Sequence, residues 1–75
     1  MFDVRNPKTG EVKNGLTAEA VGAYLRENGA TFERMDLQES QTSVFENTMW
    51  QEQYIVEYTG VGDMAEALQD VHRSL

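Results

Sequence analysis

Apolar and polar residues alternate at the start of the chain, which is the pattern of a half-buried β-strand. Phe2 and Val4 are separated by polar residues, and Val12 begins a second alternating stretch. Between the two stretches, residues 6–10 read Asn-Pro-Lys-Thr-Gly. Proline presets φ in such a turn, and Gly10 accepts the left-handed conformation that closes it. The pattern predicts a β-hairpin over residues 2–15.

The apolar spacing changes to a helical period after this hairpin. Thr17 is a preferred N-cap residue, and Asn28 followed by Gly29 is a common helix end. These signals predict a helix between them. Its expected core face comprises Ala20, Val21, Tyr24 and Leu25. Gly22 falls outside that face, and with Ala18 it is expected to leave a low-relief patch that another backbone could approach.

Residues 31–40 are predicted to form a third strand, although their alternation is interrupted at one position. The alternating positions are Thr31, Glu33, Met35 and Leu37. Phe32 interrupts the alternation, and a β-bulge near Glu33 and Arg34 would reconcile it with a strand. Residues 41–48 are predicted to form a turn into the next strand or, alternatively, a longer arm of a hairpin.

Residues 50–59 are predicted to form a strand, and their alternation is the clearest in the chain. One side carries Trp50, Glu52, Tyr54, Val56 and Tyr58, and the other carries Gln51, Gln53, Ile55 and Glu57. The first side is expected to be buried, because the second offers only Ile55 as an apolar residue. Trp50 lies at the start of the strand, so it is either a residue of the core margin or an exposed anchor for a partner.

The chain closes with a predicted amphipathic helix. Its core stripe comprises Val61, Met64, Leu68, Val71 and Leu75. The outward face carries Asp63, Glu66 and Asp70, with Arg73 after them. The predicted fold is α+β, with a small antiparallel sheet, two helices packed on one face, and the order ββ-α-ββ-α. We expect residues 1–75 to form one acidic domain.

The charge of the protein is concentrated in one part of the chain. Residues 1–30 contain four acidic and four basic residues, whereas residues 31–75 contain nine acidic residues and two arginines. The whole formal net charge of −7 therefore belongs to residues 31–75. Such a field repels nucleic acids and anionic membranes and attracts basic surfaces. Simple solubilisation by these charges is the alternative explanation.

Candidate catalytic and metal-binding chemistry is sparse. The chain has no cysteine, and its single histidine, His72, is expected to interact with the C-terminal end of the last helix. Pairs of carboxylates occur at Glu33 and Asp36 and at Glu52 and Glu57, but a domain of this size rarely forms the cleft that acid–base catalysis needs. We therefore expect no enzyme activity, no metal and no cofactor.

The sequence contains no apolar run of the roughly 20 residues that cross a bilayer. Its beginning, Met1-Phe2-Asp3, lacks the basic and apolar regions of a signal peptide. These features predict a cytoplasmic protein. A chain of 75 residues has a small core, and open sheet edges favour association, so a homodimer or a bound partner is expected.

In its composition the chain resembles the small, cysteine-free, acidic proteins of phages and mobile elements that inhibit nucleic-acid-binding machinery of the host. This resemblance implies a non-catalytic inhibitor or regulator of the anti-CRISPR or anti-restriction kind, which occupies a basic surface of a partner protein. The residues expected to contact that partner are Glu33, Asp36, Trp50, Glu52, Glu57, Asp63, Glu66 and Asp70. The alternative is a structural or accessory module, either homodimeric or a subunit of a larger assembly.

Overall fold

The computed structural model of the protein describes residues 1–36 and 41–75. Five strands and two helices occur in these residues. They are β1 (Phe2–Asn6), β2 (Glu11–Leu16), α1 (Ala18–Glu27), β3 (Thr31–Asp36), β4 (Thr42–Asn47), β5 (Glu52–Tyr58) and α2 (Met64–Ser74). The strands form one sheet in the order β2-β1-β5-β4-β3, and all neighbouring strands are antiparallel.

The predicted α+β class and the antiparallel sheet are confirmed, but the predicted order ββ-α-ββ-α is wrong. The observed order is ββ-α-βββ-α, because residues 42–47 form a strand and not a turn. Val44 and Phe45 of β4 point to opposite faces of the sheet, and both are buried. A strand that is buried on both sides lacks the alternation of apolar and polar residues that identified the other strands. The alternative prediction of a hairpin arm was correct.

A single apolar cluster joins the sheet to both helices. The sheet supplies Phe2, Val4, Phe45, Tyr54 and Val56, and the helices supply Val21, Leu25, Leu68 and Val71. Phe45 of β4 lies opposite Tyr54 of β5, and Val4 of β1 lies opposite Val56 of β5. Residues that lie opposite each other on neighbouring strands point to the same face of the sheet, so these side chains share one face. Both helices therefore pack on that face, and the predicted buried side of β5 is confirmed for Tyr54 and Val56.

Helix α1 begins and ends as its capping residues predict. The Thr17 side chain accepts a hydrogen bond from the Ala20 backbone N–H at 3.2 Å. At the other end, Gly29 has a φ of +63°, which few residues other than glycine adopt readily. The predicted core face is only partly correct. Val21 and Leu25 are fully buried, Tyr24 is half-buried, and Ala20 is exposed.

The prediction that Gly22 lies away from the core face is wrong. Gly22 is buried against the end of α2, where a Cβ atom on residue 22 would lie 2.4 Å from the Ser74 Cβ. Arg26 strengthens this contact by donating a hydrogen bond from Nη1 to the Ser74 carbonyl at 3.0 Å. The surface predicted to receive another backbone is thus filled by the same chain.

Strand β3 contains the predicted bulge. Phe32 pairs with Phe45, and Arg34 pairs with Val44, so Glu33 has no register partner of its own. The extra residue restores Phe32 and Met35 to the same face, which explains the interrupted alternation. The predicted strand position Leu37 lies outside the described residues.

The segments on either side of β5 differ from prediction. The strand begins at Glu52, and Trp50 lies in the preceding turn, because Gln51 has a φ of +54° and interrupts the extended backbone. Helix α2 begins at Met64, after its N-cap Asp63, so Val61 lies outside the helix and is fully exposed instead of buried. Leu75 is also more than one-third exposed.

Candidate functional site

A groove follows the outward face of α2, and we call it the acidic groove. Its lining residues are Tyr58, Val61, Gly62, Asp63, Glu66, Ala67 and Asp70, and its volume is about 290 Å³. Asp63 is the N-cap of α2, and Glu66 and Asp70 lie on its following turns, about 6 Å apart along the helix axis. The fold therefore brings together three of the carboxylates that the sequence proposed for partner binding.

The charges in the acidic groove are only partly compensated. Arg73 forms an ion pair with Asp70, with Nη1 and Oδ1 separated by 2.9 Å. Asp63 accepts a hydrogen bond from the Ala65 N–H at 2.9 Å and so caps the helix. Within residues 1–36 and 41–75, neither Asp63 nor Glu66 forms an ion pair with a basic side chain. The groove can consequently attract a cation from outside.

The other wall of the acidic groove is apolar. The Tyr58 hydroxyl donates a hydrogen bond to the Val61 carbonyl at 3.2 Å, which holds the loop after β5 over the tyrosine ring. Gly60 permits this close approach, because a Cβ there would lie 2.4 Å from the Tyr58 hydroxyl oxygen. Val61 extends into solvent beside the carboxylates. This arrangement suits a lysine or arginine side chain, which has an apolar stem and a charged end.

Three other predicted contact residues lie on or beside the sheet face that the helices do not cover. Asp36 pairs with Thr42, and Thr42 in turn pairs with Glu57, so these residues form one row across the sheet. Glu33 occupies the bulge of β3. None of these residues lines the acidic groove. The carboxylates predicted to bind one partner are therefore divided between different surfaces.

Glu33 and Glu46 form a pair of interacting carboxyl groups near the edge of the sheet. Their side-chain hydrogen bond and the negative charge of Glu33 raise the pKa of the Glu46 carboxyl group, whereas nearby Arg34 opposes this increase. A hydrogen bond between two carboxyl groups requires a proton on one of them. The pair is therefore a local pH-sensitive feature of an exposed surface.

Removal of the Glu33 charge should return the pKa of Glu46 towards its ordinary value. Carboxyl-carbon NMR titration of the Glu33→Gln variant would measure the change, and Glu57→Gln provides a control on the same sheet. Because the raised pKa favours the protonated folded state, the contribution of Glu46 to stability should decline as pH rises through this pKa. An unchanged Glu46 titration in Glu33→Gln would contradict the assignment.

Trp50 lies in a second concavity at the opposite end of β5, and we call it the turn groove. Its volume is about 480 Å³, and its lining runs from the end of α1 to the turn between β4 and β5. Trp50 is 55% exposed, and its neighbour Met49 is 85% exposed. The structure thus places Trp50 outside the core, while the prediction that it anchors a partner stays a prediction.

The turn that carries Trp50 is held by hydrogen bonds at several points. Asn47 donates from Nδ2 to the Asn28 carbonyl at 2.7 Å and accepts from the Trp50 N–H at 3.1 Å. Lys8 donates from Nζ to the Trp50 carbonyl at 2.9 Å. The roles of Asn47 and Lys8 were not predictable from the sequence, because Asn28 and Trp50, which they contact, are 19 and 42 residues away along the chain. The exposed indole is consequently presented on a fixed backbone.

Glu52 lies on the same side of β5 as the buried Tyr54 and Val56, opposite Asn47 of β4, and it is half-buried. Its Oε2 accepts a hydrogen bond from the Tyr54 hydroxyl at 2.8 Å. Burial and this hydrogen bond raise the pKa of the Tyr54 phenol. Glu52 therefore supports a buried tyrosine in addition to its predicted role in partner binding.

The residues of the described ranges contain no group of three or more histidine, cysteine, aspartate or glutamate side chains arranged to hold a metal ion. No helix in that part of the chain is long and apolar enough to cross a membrane. Comparison of the chain with protein-family models, with curated proteins and with solved structures found no match.

Proposed function

We propose that the protein is a non-catalytic inhibitor or regulator that occupies a basic, nucleic-acid-binding surface of a partner protein. The acidic groove carries the proposal, because it combines three carboxylates in a row with the exposed apolar side chain of Val61. In this function, Asp63, Glu66 and Asp70 take the place of nucleic-acid phosphates. Inhibitors of the anti-CRISPR or anti-restriction kind would act in this way.

The charge distribution supports the same function. Residues 31–75 hold the whole net charge of −7, so the protein carries a net negative charge that favours basic partners. Long-range attraction of this kind increases the rate of encounter with a basic surface and is screened by salt. Binding to the partner is consequently expected to weaken as ionic strength rises, mainly through slower association.

An accessory or structural module is the second candidate function, and the turn groove favours it. Trp50 and Met49 are exposed on a backbone that is fixed by three hydrogen bonds. A rigid, amphipathic aromatic residue is a common anchor in protein interfaces. In such a module, Trp50→Ala would remove binding while charge changes in the acidic groove would have little effect.

Charge reversal in the acidic groove should reduce partner binding at least tenfold. The test variant carries Glu66→Lys and Asp70→Lys and retains Asp63, because its side chain caps α2. Wild-type protein and the variant would be used to capture binding proteins at low and high salt. Each captured protein would then be tested for displacement of its nucleic acid by the wild type.

A matched control has the same change in charge on α1, through Glu19→Lys and Glu27→Lys. Glu19 and Glu66 both lie in the first turn of a helix, so the two variants lose a similar favourable interaction with the helix dipole. The control should retain binding. Equal binding by both variants, with circular dichroism showing that both are folded, would contradict a role for the acidic groove.

A further inference from the structure

Strand β3 lies at one end of the sheet order, and its outer edge pairs with no strand in residues 1–36 or 41–75. An edge strand presents backbone N–H and C=O groups that can pair with another strand. Strand β2 occupies the other end of the sheet. The two edge strands differ in sequence, and only the sequence of β3 is suited to pairing with a second copy of itself.

The β3 edge carries two exposed apolar side chains on the helix side of the sheet. Phe32 is 43% exposed, and Met35 is 36% exposed. The Phe32 ring lies against Phe45 and His72, with ring centroids separated by 5.6 and 5.1 Å. The apolar surface of the core therefore continues to the edge of the sheet.

The sequence of β3 is complementary to itself when it is read in the opposite direction. Residues 31–36 read Thr-Phe-Glu-Arg-Met-Asp. Antiparallel pairing of two copies, centred between Glu33 and Arg34, places an acid opposite a base at the centre. The same register places Phe32 opposite Met35 and Thr31 opposite Asp36.

The bulge makes this register compatible with the two faces of the sheet. Opposite residues of an antiparallel pair must point to the same face, whereas residues 32 and 35 of a regular strand point to different faces. The extra residue at Glu33 places Phe32 and Met35 together on the helix side, as their partners Phe45 and Ser43 indicate. The irregularity thus adapts the strand to pairing with its own copy.

We propose that the protein forms a two-fold symmetric homodimer in which β3 pairs antiparallel with β3 of a second copy. Glu33 of each copy then lies opposite Arg34 of the other, and the two five-stranded sheets become continuous. A two-fold interface uses the same surface of both copies, so every favourable pair occurs twice. This inference is independent of the proposed function, because the acidic groove lies on α2.

Charge near the bulge also favours a second copy as the occupant. Arg34 contacts Glu33 of its own chain, with Nη1 and Oε1 separated by 3.3 Å, while Glu33 also interacts with Glu46. Arg34 of a second copy would add a cation next to this pair of acids. A generic extended peptide would supply neither that cation nor the apolar residue opposite Phe32.

Strand β2 lacks the same complementarity. The corresponding antiparallel self-pairing of residues 11–16 places Lys13 opposite Asn14 and Val12 opposite Gly15. Gly15 has a φ of +66°, and the register of β2 shifts near it. The positive φ of Gly15 interrupts the extended backbone of β2, and a lysine at a sheet edge reduces pairing with other strands. The proposal therefore concerns the β3 edge.

Sedimentation equilibrium over a range of concentrations would test the dimer. Wild-type protein should associate in a concentration-dependent manner, and Arg34→Glu or Glu33→Arg should each weaken self-association at least tenfold by placing like charges opposite each other. An equimolar mixture of these two variants should form a heterodimer, because their charges are complementary. Lys13→Glu on β2 serves as the control and should associate as wild type does.

Formation of the heterodimer would show that each variant fails to self-associate because of its charges and not because it is unfolded. Circular dichroism would establish that each single variant is folded, and slowed hydrogen exchange of β3 backbone amides would locate the interface. A wild-type chain that stays monomeric at millimolar concentration would overturn the proposal. So would an Arg34→Glu variant that associates as strongly as wild type, or a mixture of the two variants that fails to associate.

Discussion

Substitution of Val71 by aspartate is expected to unfold the protein at neutral pH. Val71 has no exposed surface and packs in the cluster that joins α2 to the sheet. A buried carboxylate without a partner is strongly unfavourable, and its cost exceeds that of any ordinary surface substitution. A chain of 75 residues has a total stability of about 4 to 11 kcal/mol, so little stability would remain.

The control for this experiment is Gln69→Asp, which places the same side chain on an exposed position of α2. Thermal unfolding monitored by circular dichroism should show a cooperative transition for the control and none for Val71→Asp. Because burial raises the pKa of an introduced carboxyl group, part of the structure should return at acidic pH, where that group is neutral. A Val71→Asp protein with the wild-type melting temperature would contradict the packing of α2.

The second large effect is expected at Gly22, where Gly22→Ala should destabilise the protein by about 1 to 3 kcal/mol. Alanine normally stabilises the interior of a helix by about 1 kcal/mol relative to glycine, so the expected sign is reversed. The cause is Ser74, because its side-chain Cβ and its backbone carbonyl carbon both lie within 3 Å of the position of the new methyl group. Helix α2 would have to move away from α1.

A chain that lacks Ser74 and Leu75 tests this explanation directly. In the shortened chain, the methyl group of Gly22→Ala no longer meets Ser74, so the substitution should become neutral or stabilising. The shortening itself also removes the hydrogen bond from Arg26 to the Ser74 carbonyl, and the shortened chain with Gly22 is therefore the reference. Denaturant unfolding measures all four proteins. The same loss of stability in both chain lengths would exclude the contact as the cause.

Features that depend on neighbouring residues were predictable from the sequence. The Thr17 cap, the Gly29 helix end and the bulge at Glu33 follow from local hydrogen bonding and from the direction in which successive side chains point. The burial of Tyr54 and Val56 was also predictable from the sequence, because only one side of β5 is sufficiently apolar to enter a core.

The candidate sites were predictable only as sets of residues. The helical period places Asp63, Glu66 and Asp70 on one face of α2 without any knowledge of the sheet. The apolar wall of the acidic groove was not predictable, because it depends on the loop between Tyr58 and Val61 folding over the tyrosine ring. The position of Glu33, Asp36 and Glu57 away from this groove was also not predictable, because it depends on how the strands pair.

The sequence by itself determined both ends of α1, the alternation within β1 and β5, the bulge of β3 and the concentration of negative charge in residues 31–75. Tertiary structure alone decided that residues 42–47 form a strand, that Gly22 faces Ser74, and that Val61 and Trp50 are exposed. The physical reason is the range of the interactions. Capping and alternation act within a few residues, whereas the burial of a side chain depends on segments that are distant along the chain.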